Sequence, residues 1–125
     1  MKRIESQINS VVFEGTVINE PEVVAKSATS DKRLVKCTLA NDQYFTDEDG
    51  NVTKETTFMV VGFWGELGEK VLEVINRGMV VRAVGAINTI RWVTKTGESR
   101  HDCEIVANHI EYRWKEKNAI MEVTA

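Results

Sequence analysis

The chain has 125 residues, 42% of them hydrophobic and 28% charged, and carries a net charge of −3 at pH 7. That length suits one domain able to bury its own core, and no apolar run approaches the ~20 residues a membrane helix needs. The basic N-terminus has no apolar stretch behind it, which reads against a secretory signal, and the negative total argues against a generic polyanion binder.

The charge is unevenly spread. Between Asp42 and Glu55 the chain carries Asp42, Asp47, Glu48, Asp49 and Glu55 against Lys54. Between Arg77 and Arg100 it carries Arg77, Arg82, Arg91, Lys95 and Arg100 against Glu98. A local surface can therefore be positive although the whole molecule is not.

Residues 1–8 read as a short arm. Asn9 to Ile18 alternates as a strand with Val11, Phe13 and Val17 on one side, and Gly15 within it marks a bulge or tight bend. Asn19-Glu20-Pro21-Glu22 is a turn, followed by a polar loop. Leu34 to Ala40 is a second strand with Val35, Cys37 and Leu39 facing inward. Asn41 to Glu55 reads as a long acidic loop, opened by the pair Tyr44-Phe45 and turned at Asp49-Gly50-Asn51.

Thr56 to Trp64 is a third strand. Met59, Val61 and Phe63 form its apolar face, while Phe58, Val60, Gly62 and Trp64 share the other. The two rings on that face stand roughly 20 Å apart. Spaced rings along an exposed strand suit single-stranded nucleic acid, because every base offers a flat π-face. On a sheet covered on both sides the same rings would be core.

Glu66 to Gly78 changes to helical period, with Leu67, Val71, Val74 and Ile75 on one side and Gly78 as the stop. Met79 to Trp92 returns to strand. Arg91 to Arg100 forms a projecting hairpin with a Thr-Gly tip. His101 to Tyr112 is the last strand, with Cys103, Ile105 and Ala107 inward. No structural signal marks the tail from Arg113 onward. Cys37 and Cys103 lack metal-ligand spacing and are expected as buried reduced thiols, which points to the cytoplasm.

The result is an all-β chain with one short helix. Three strands, the helix and two more strands predict an OB-fold, a five-stranded Greek-key barrel with the helix between strands 3 and 4. The domain is expected over 9–114, with 115–125 as a short C-terminal tail.

In this order the motifs resemble the bacterial single-stranded DNA-binding proteins. The resemblance is carried by Asn9-Ser-Val-Val-Phe-Glu-Gly15 and Glu20-Pro21-Glu22-Val23, by the spacing from Gly50 to Gly65, and by Glu69 to Gly78. Gly85-Ala-Ile-Asn-Thr-Ile-Arg-Trp92 completes it. It implies base stacking on Phe45, Phe58, Trp64 and Trp92, with phosphate contacts from Arg77 and Arg91, where the family is basic, joined by Lys95 and Arg100, which flank the hairpin. Val60 stands where such proteins often carry arginine and Glu66 where many carry lysine, so stacking is expected to supply a larger share of binding here.

The resemblance further implies binding and protection of single-stranded DNA in replication, recombination and repair. It also implies a homotetramer, with a dimer next, acting in the nucleoid of the cytoplasm. The family's acidic tip with its terminal aromatic is missing from Lys115 to Ala125, which leaves open a trimmed chain or a divergent member; in the second case tail-mediated recruitment of replication proteins is not expected.

No catalytic residue, metal, cofactor or membrane contact is expected. The acidic loop fails as a calcium loop, because Gly50 at its sixth position would put Phe45 at its first. Neither His101 nor His109 has a nucleophile pattern beside it. Two rivals stay open: an OB-fold nuclease, which would need an acid cluster holding a metal on the binding face, and a primosome-type OB-fold interaction module whose DNA binding is secondary.

Overall fold

Alternating apolar residues in one half of each long strand close a barrel, and the polar halves run out of it. The computed structural model describes residues 5–116 and 120–125. Its elements are β1 (Val11–Val17), β2 (Glu22–Lys26), β3 (Arg33–Thr46), β4 (Val52–Trp64), α1 (Gly65–Val74), β5 (Met79–Val93), β6 (Ser99–Trp114) and β7 (Met121–Thr124).

Hydrogen-bonded neighbours run β1-β5-β6-β4-β3, and β1 pairs again with β3, which closes a five-stranded ring. All of these pairings are antiparallel except β4 with β6. The helix lies between the third and fourth barrel strands, so the ring is the expected OB-fold. The N-terminal arm is described only from Glu5, and residues 1–4 lie outside the described part.

Two close backbone approaches shape the ring. At Gly15, β1 passes from β5 to β3, and a Cβ there would stand 2.8 Å from the carbonyl of Ala40. The glycine serves this approach at barrel closure; of the bulge or tight bend expected at this position, the bulge is not among the register shifts of β1. At Gly85 the ladder between β5 and β6 shifts, with Val84 opposite His109 but Gly85 opposite Ala107. Asn108 is the extra residue, and the bulge changes which side chains of β6 face inward. Ile105 and Ala107 point into the core before it, Ile110 and Tyr112 after it.

The core gathers Val17, Val35, Leu39, Val61, Phe63, Val81 and Ile105 from five strands, with Leu67, Val71 and Ile75 from the helix region. Fully burying each such side chain contributes about 1.5–3 kcal/mol. The helix ends at Val74, earlier than its period suggests. Ile75 turns extended, its N–H still donating to the Val71 carbonyl, and its side chain is buried. Gly78 then adopts φ +94, the left-handed stop expected of it. Arg33 clamps the helix to β3, its Nε donating to Glu69 at 2.9 Å, and that bond holds the Glu69 carboxyl below its usual range.

Several elements differ from expectation. Asn41 to Glu55 is no long loop: β3 and β4 pair without interruption from Leu34↔Trp64 to Thr46↔Val52. Glu22–Lys26 is a strand on the edge of β3, and Met121–Thr124 is a strand on β6, where the sequence marked a polar loop and an unstructured tail. Cys37 is buried, and burial pushes its thiol up to about 12. Cys103 is exposed. It lies on the inward side of β6, as expected, but beyond the end of the barrel, where that side faces water.

Candidate nucleic-acid interface

Beyond the barrel, β3–β4 and β5–β6 continue as two hairpin arms whose residues are exposed on both faces. Each arm ends in the same five-residue turn. In the first, Asp47 N–H donates to the Asn51 carbonyl at 2.9 Å and Gly50 N–H to the Asp47 carbonyl at 3.1 Å. In the second, Thr94 N–H donates to the Glu98 carbonyl at 2.9 Å and Gly97 N–H to the Thr94 carbonyl at 3.0 Å. Gly50 and Gly97 adopt φ +82 and +86, a conformation that costs other residues strain. The side chain at the first turn position accepts from backbone: Asp47 Oδ1 from Asp49 and Asn51, Thr94 Oγ1 from Glu98.

Register decides which side chains share a face. Cross-strand partners project to the same side, so Phe58 pairs with Ala40, Gly62 with Lys36 and Trp64 with Leu34 on the outer face of β3–β4. Tyr44, opposite Lys54, lies on this face as well. The parallel pair Gly62↔Val106 and the antiparallel pairs Ala86↔Val106 and Trp92↔Arg100 carry the same face across β6 to β5. Tyr44, Phe58, Trp64 and Trp92 therefore stand on one continuous side of four strands. They are 66%, 59%, 40% and 47% exposed, too open for rings serving only as core.

Of the eight residues singled out from sequence, the register brings Phe58, Trp64, Trp92 and Arg100 together. Arg100 is tied to Glu98, its Nη2 2.6 Å from Oε2. Lys95 sits in the tip turn of its arm, next to this face. Arg91 and Phe45 are exposed on the opposite side of their strands, alongside His101 and Thr53 respectively. Arg77 is exposed at the far end of β5 from Trp92, where its backbone N–H donates to Glu20 at 3.1 Å.

Two residues on this face were missed: Tyr44 and Lys36. Tyr44 was legible in principle, because centring the turn on Asp47–Asn51 pairs even-numbered residues with even-numbered ones. Lys36 had no local signal, since what distinguishes it is a partner far away in sequence, described below.

Among the described residues no group of three or more His, Cys, Asp or Glu side chains could hold a metal ion. No helix among them is long and apolar enough to cross a membrane.

The closed ring, the single helix and the open ring-bearing face define the class: an OB-fold barrel whose outer sheet face runs out onto two arms. The chain belongs to the single-strand binding protein family, whose model matches residues 8–113. Single-stranded DNA-binding protein 1 of Chlorobaculum tepidum is 29% identical over 105 residues, covering 83% of this chain and 64% of that protein. The single-stranded DNA-binding protein of Xylella fastidiosa is 29% identical over 104 residues, covering 83% and 62%. This chain thus spans less than two thirds of the length of these relatives.

Among solved structures, a Plasmodium falciparum SSB in complex with ssDNA matches with a TM-score of 0.72 at 16% identity, over 98% of this chain and 99% of that one. A deletion mutant of the Thermus aquaticus single-stranded DNA binding protein matches with a TM-score of 0.72 at 18% identity, over 91% of this chain and 54% of that one. At these identities the likeness carries the fold.

Proposed function

We propose that this chain binds single-stranded DNA with little sequence preference, coating and protecting it during replication, recombination and repair in the nucleoid. The observation that carries the reading is the single four-stranded face bearing Tyr44, Phe58, Trp64 and Trp92, all open to solvent and contributed by three of its strands. Unpaired bases can lay their π-faces on such rings, whereas a duplex keeps its bases stacked on one another. Membership in the family and the names of the curated relatives support the same reading.

Phe58, Trp64 and Trp92 are the stacking residues of this proposal, with Tyr44 as the ring of the first arm and Phe45 behind it. Arg91, Lys95 and Arg100 supply phosphate contacts along the second arm. Arg77 would meet a strand only where it wraps round to the far end of β5.

The working form is a homo-oligomer, with a tetramer as the favoured state. The largely open side of β1 supports this: β1 joins β5 over Val11 to Thr16, while among the described residues its other side ladders with β3 only at Thr16 and Val17, besides the Asn41 side chain donating to the Glu14 carbonyl.

The test is quenching of tryptophan fluorescence by oligo(dT) and by duplex of equal length, with sedimentation at the same protein concentration. Saturable quenching by dT with little response to duplex is the expected result. No quenching by dT at low salt would sink the reading and favour the interaction module.

A further inference from the structure

The ring-bearing face has an ion pair at its centre that stacking leaves unused. Lys36 on β3 lies opposite Gly62 on β4, and its Nζ stands 2.6 Å from Oε2 of Glu104 on β6. The lysine therefore crosses over β4, and it can do so because position 62 has no side chain. A Cβ there would stand 3.2 Å from Leu34 Cδ1 and 4.0 Å from Glu104 Oε1. Larger side chains at 62 would fill the gap the lysine spans.

Glu104 is the one charged residue buried in this way among the described residues. Its Oε2 is out of reach of water and receives no well-aligned hydrogen bond, although the ammonium is close. Charge rather than a directed N–H holds that oxygen. The Lys36 side chain keeps 23% of its surface, against 6% for Glu104, so the lysine is the partner facing the ligand side. An ammonium has three N–H donors. The carboxylate needs at most one, and the others remain available over the sheet.

The pair is neutral as a unit, which decides what it can grip. A phosphate drawn to Lys36 would also approach the Glu104 carboxylate, and the two effects largely cancel. A neutral carbonyl oxygen escapes that penalty and still gains a short, charge-assisted hydrogen bond. Lys36 also lies between the levels of Phe58 and Trp64 on the adjacent strand. Bases stacked on those rings would present their edges, not their phosphates, to the sheet floor.

We propose that Lys36, positioned by Glu104, is a specificity-determining contact. It donates to an exocyclic carbonyl of a thymine, guanine or cytosine held between Phe58 and Trp64, and so disfavours adenine, which alone has no carbonyl and offers only ring nitrogens. The proposal rests on the single-strand reading above and adds a base preference to it.

The experiment compares dT and dA oligomers of equal length at several salt concentrations, for the wild type and for Lys36→Met. The ratio of the two preferences cancels the self-stacking of dA. Because Lys36→Met leaves Glu104 buried without a counter-charge, the double variant Lys36→Met/Glu104→Gln is measured beside it, with thermal melting to confirm folding. The dT-over-dA preference is expected to fall about tenfold in both variants, the size of one such hydrogen bond, with no change in salt slope. Glu104→Gln alone should keep the fold, weaken the preference and steepen the salt slope by about 0.7 as the freed ammonium finds a phosphate.

Equal weakening on dT and dA with a slope shallower by about 0.7 in Lys36→Met would make Lys36 a phosphate contact and overturn the proposal. Unchanged binding in the folded double variant would overturn it as well. If the wild type binds neither oligomer, it is the single-strand reading that fails.

Discussion

The two hairpin arms share a backbone device and differ in charge. Both project from the barrel as exposed ladders, and both close with a five-residue turn whose fourth residue is a glycine at positive φ. Yet residues 41–57 carry Asp42, Asp47, Glu48, Asp49 and Glu55 against Lys54, while residues 88–103 carry Arg91, Lys95 and Arg100 against Glu98 and Asp102. The turn tolerates either charge because a carboxylate and a hydroxyl accept the same backbone N–H groups. Some of the acidity is thus structural: Asp47 builds the turn, and Asp42 accepts from Thr56 at 2.7 Å across the strands. Glu48, Asp49 and Glu55 have no side-chain partner among the hydrogen bonds of the described residues, so architecture does not account for them. On the proposed function the arms divide the work: the acidic arm offers a strand its rings and the single cation Lys54, and the basic arm offers a ring and three cations.

The arms also differ in how they leave the barrel, and here the largest effect is expected. The second arm starts from the bulge at Gly85, where a Cβ would stand 2.0 Å from the Val106 carbonyl oxygen and 2.8 Å from Ala107 Cα. Both obstacles are backbone and cannot swing aside. Gly85→Ala should cost about 3 kcal/mol of stability in urea unfolding. Gly50→Ala at the tip of the first arm meets nothing within 4 Å and pays only for its positive φ, about 1 kcal/mol. Equal costs would mean that the arms are launched alike.

Rings come next. Trp92→Ala should weaken dT binding by nearly 3 kcal/mol and Tyr44→Ala by about 1 kcal/mol, the two ends of the range for base–aromatic stacking. Trp92 is the larger surface and is paired with Arg100 on the basic arm, whereas Tyr44, opposite Lys54, belongs to the acidic arm. Phe45→Ala, with its ring on the other side of the strand, should change affinity by less than about 0.5 kcal/mol. If Phe45 and Tyr44 exchange these roles, register is not what selects the ring of the acidic arm.

That contrast also shows what the sequence could reveal. The barrel was legible because one buried face imprints period two on a strand and period 3.6 on the helix, and because Gly78 marks the helix stop. Phe58 and Trp64 were legible as same-face rings by the same rule. The first arm was not legible as strands, since residues wet on both faces carry no alternation; Gln43 to Thr46 and Val52 to Glu55 are held by their partners' ladder. Glu22–Lys26 escaped notice for the same reason, being exposed throughout. Tyr44 and Phe45 are adjacent, so choosing between them needs the register, which the turn sets. Lys36 and Glu104 meet through a parallel contact between β4 and β6, and no local pattern announces a pairing so distant in the chain.

The smallest effect tests the division of labour most directly. If Lys95 neutralises one phosphate, Lys95→Gln should reduce the slope of log K against log salt by about 0.7, with a modest loss of affinity near physiological salt. Removing acids from the other arm with Glu48→Gln and Asp49→Asn should act only at a distance. Two charges about 10 Å from a phosphate in water are worth roughly 0.8 kcal/mol before screening, and a Debye length of about 8 Å removes most of that at physiological ionic strength. Affinity should therefore rise slightly at low salt and hardly at all at physiological salt. Counterion release at fixed phosphates is unaffected, so the slope at moderate salt should stay that of the wild type. A slope changed as much as by Lys95→Gln would place the acidic tip in contact with the strand, and the two arms would then share one task.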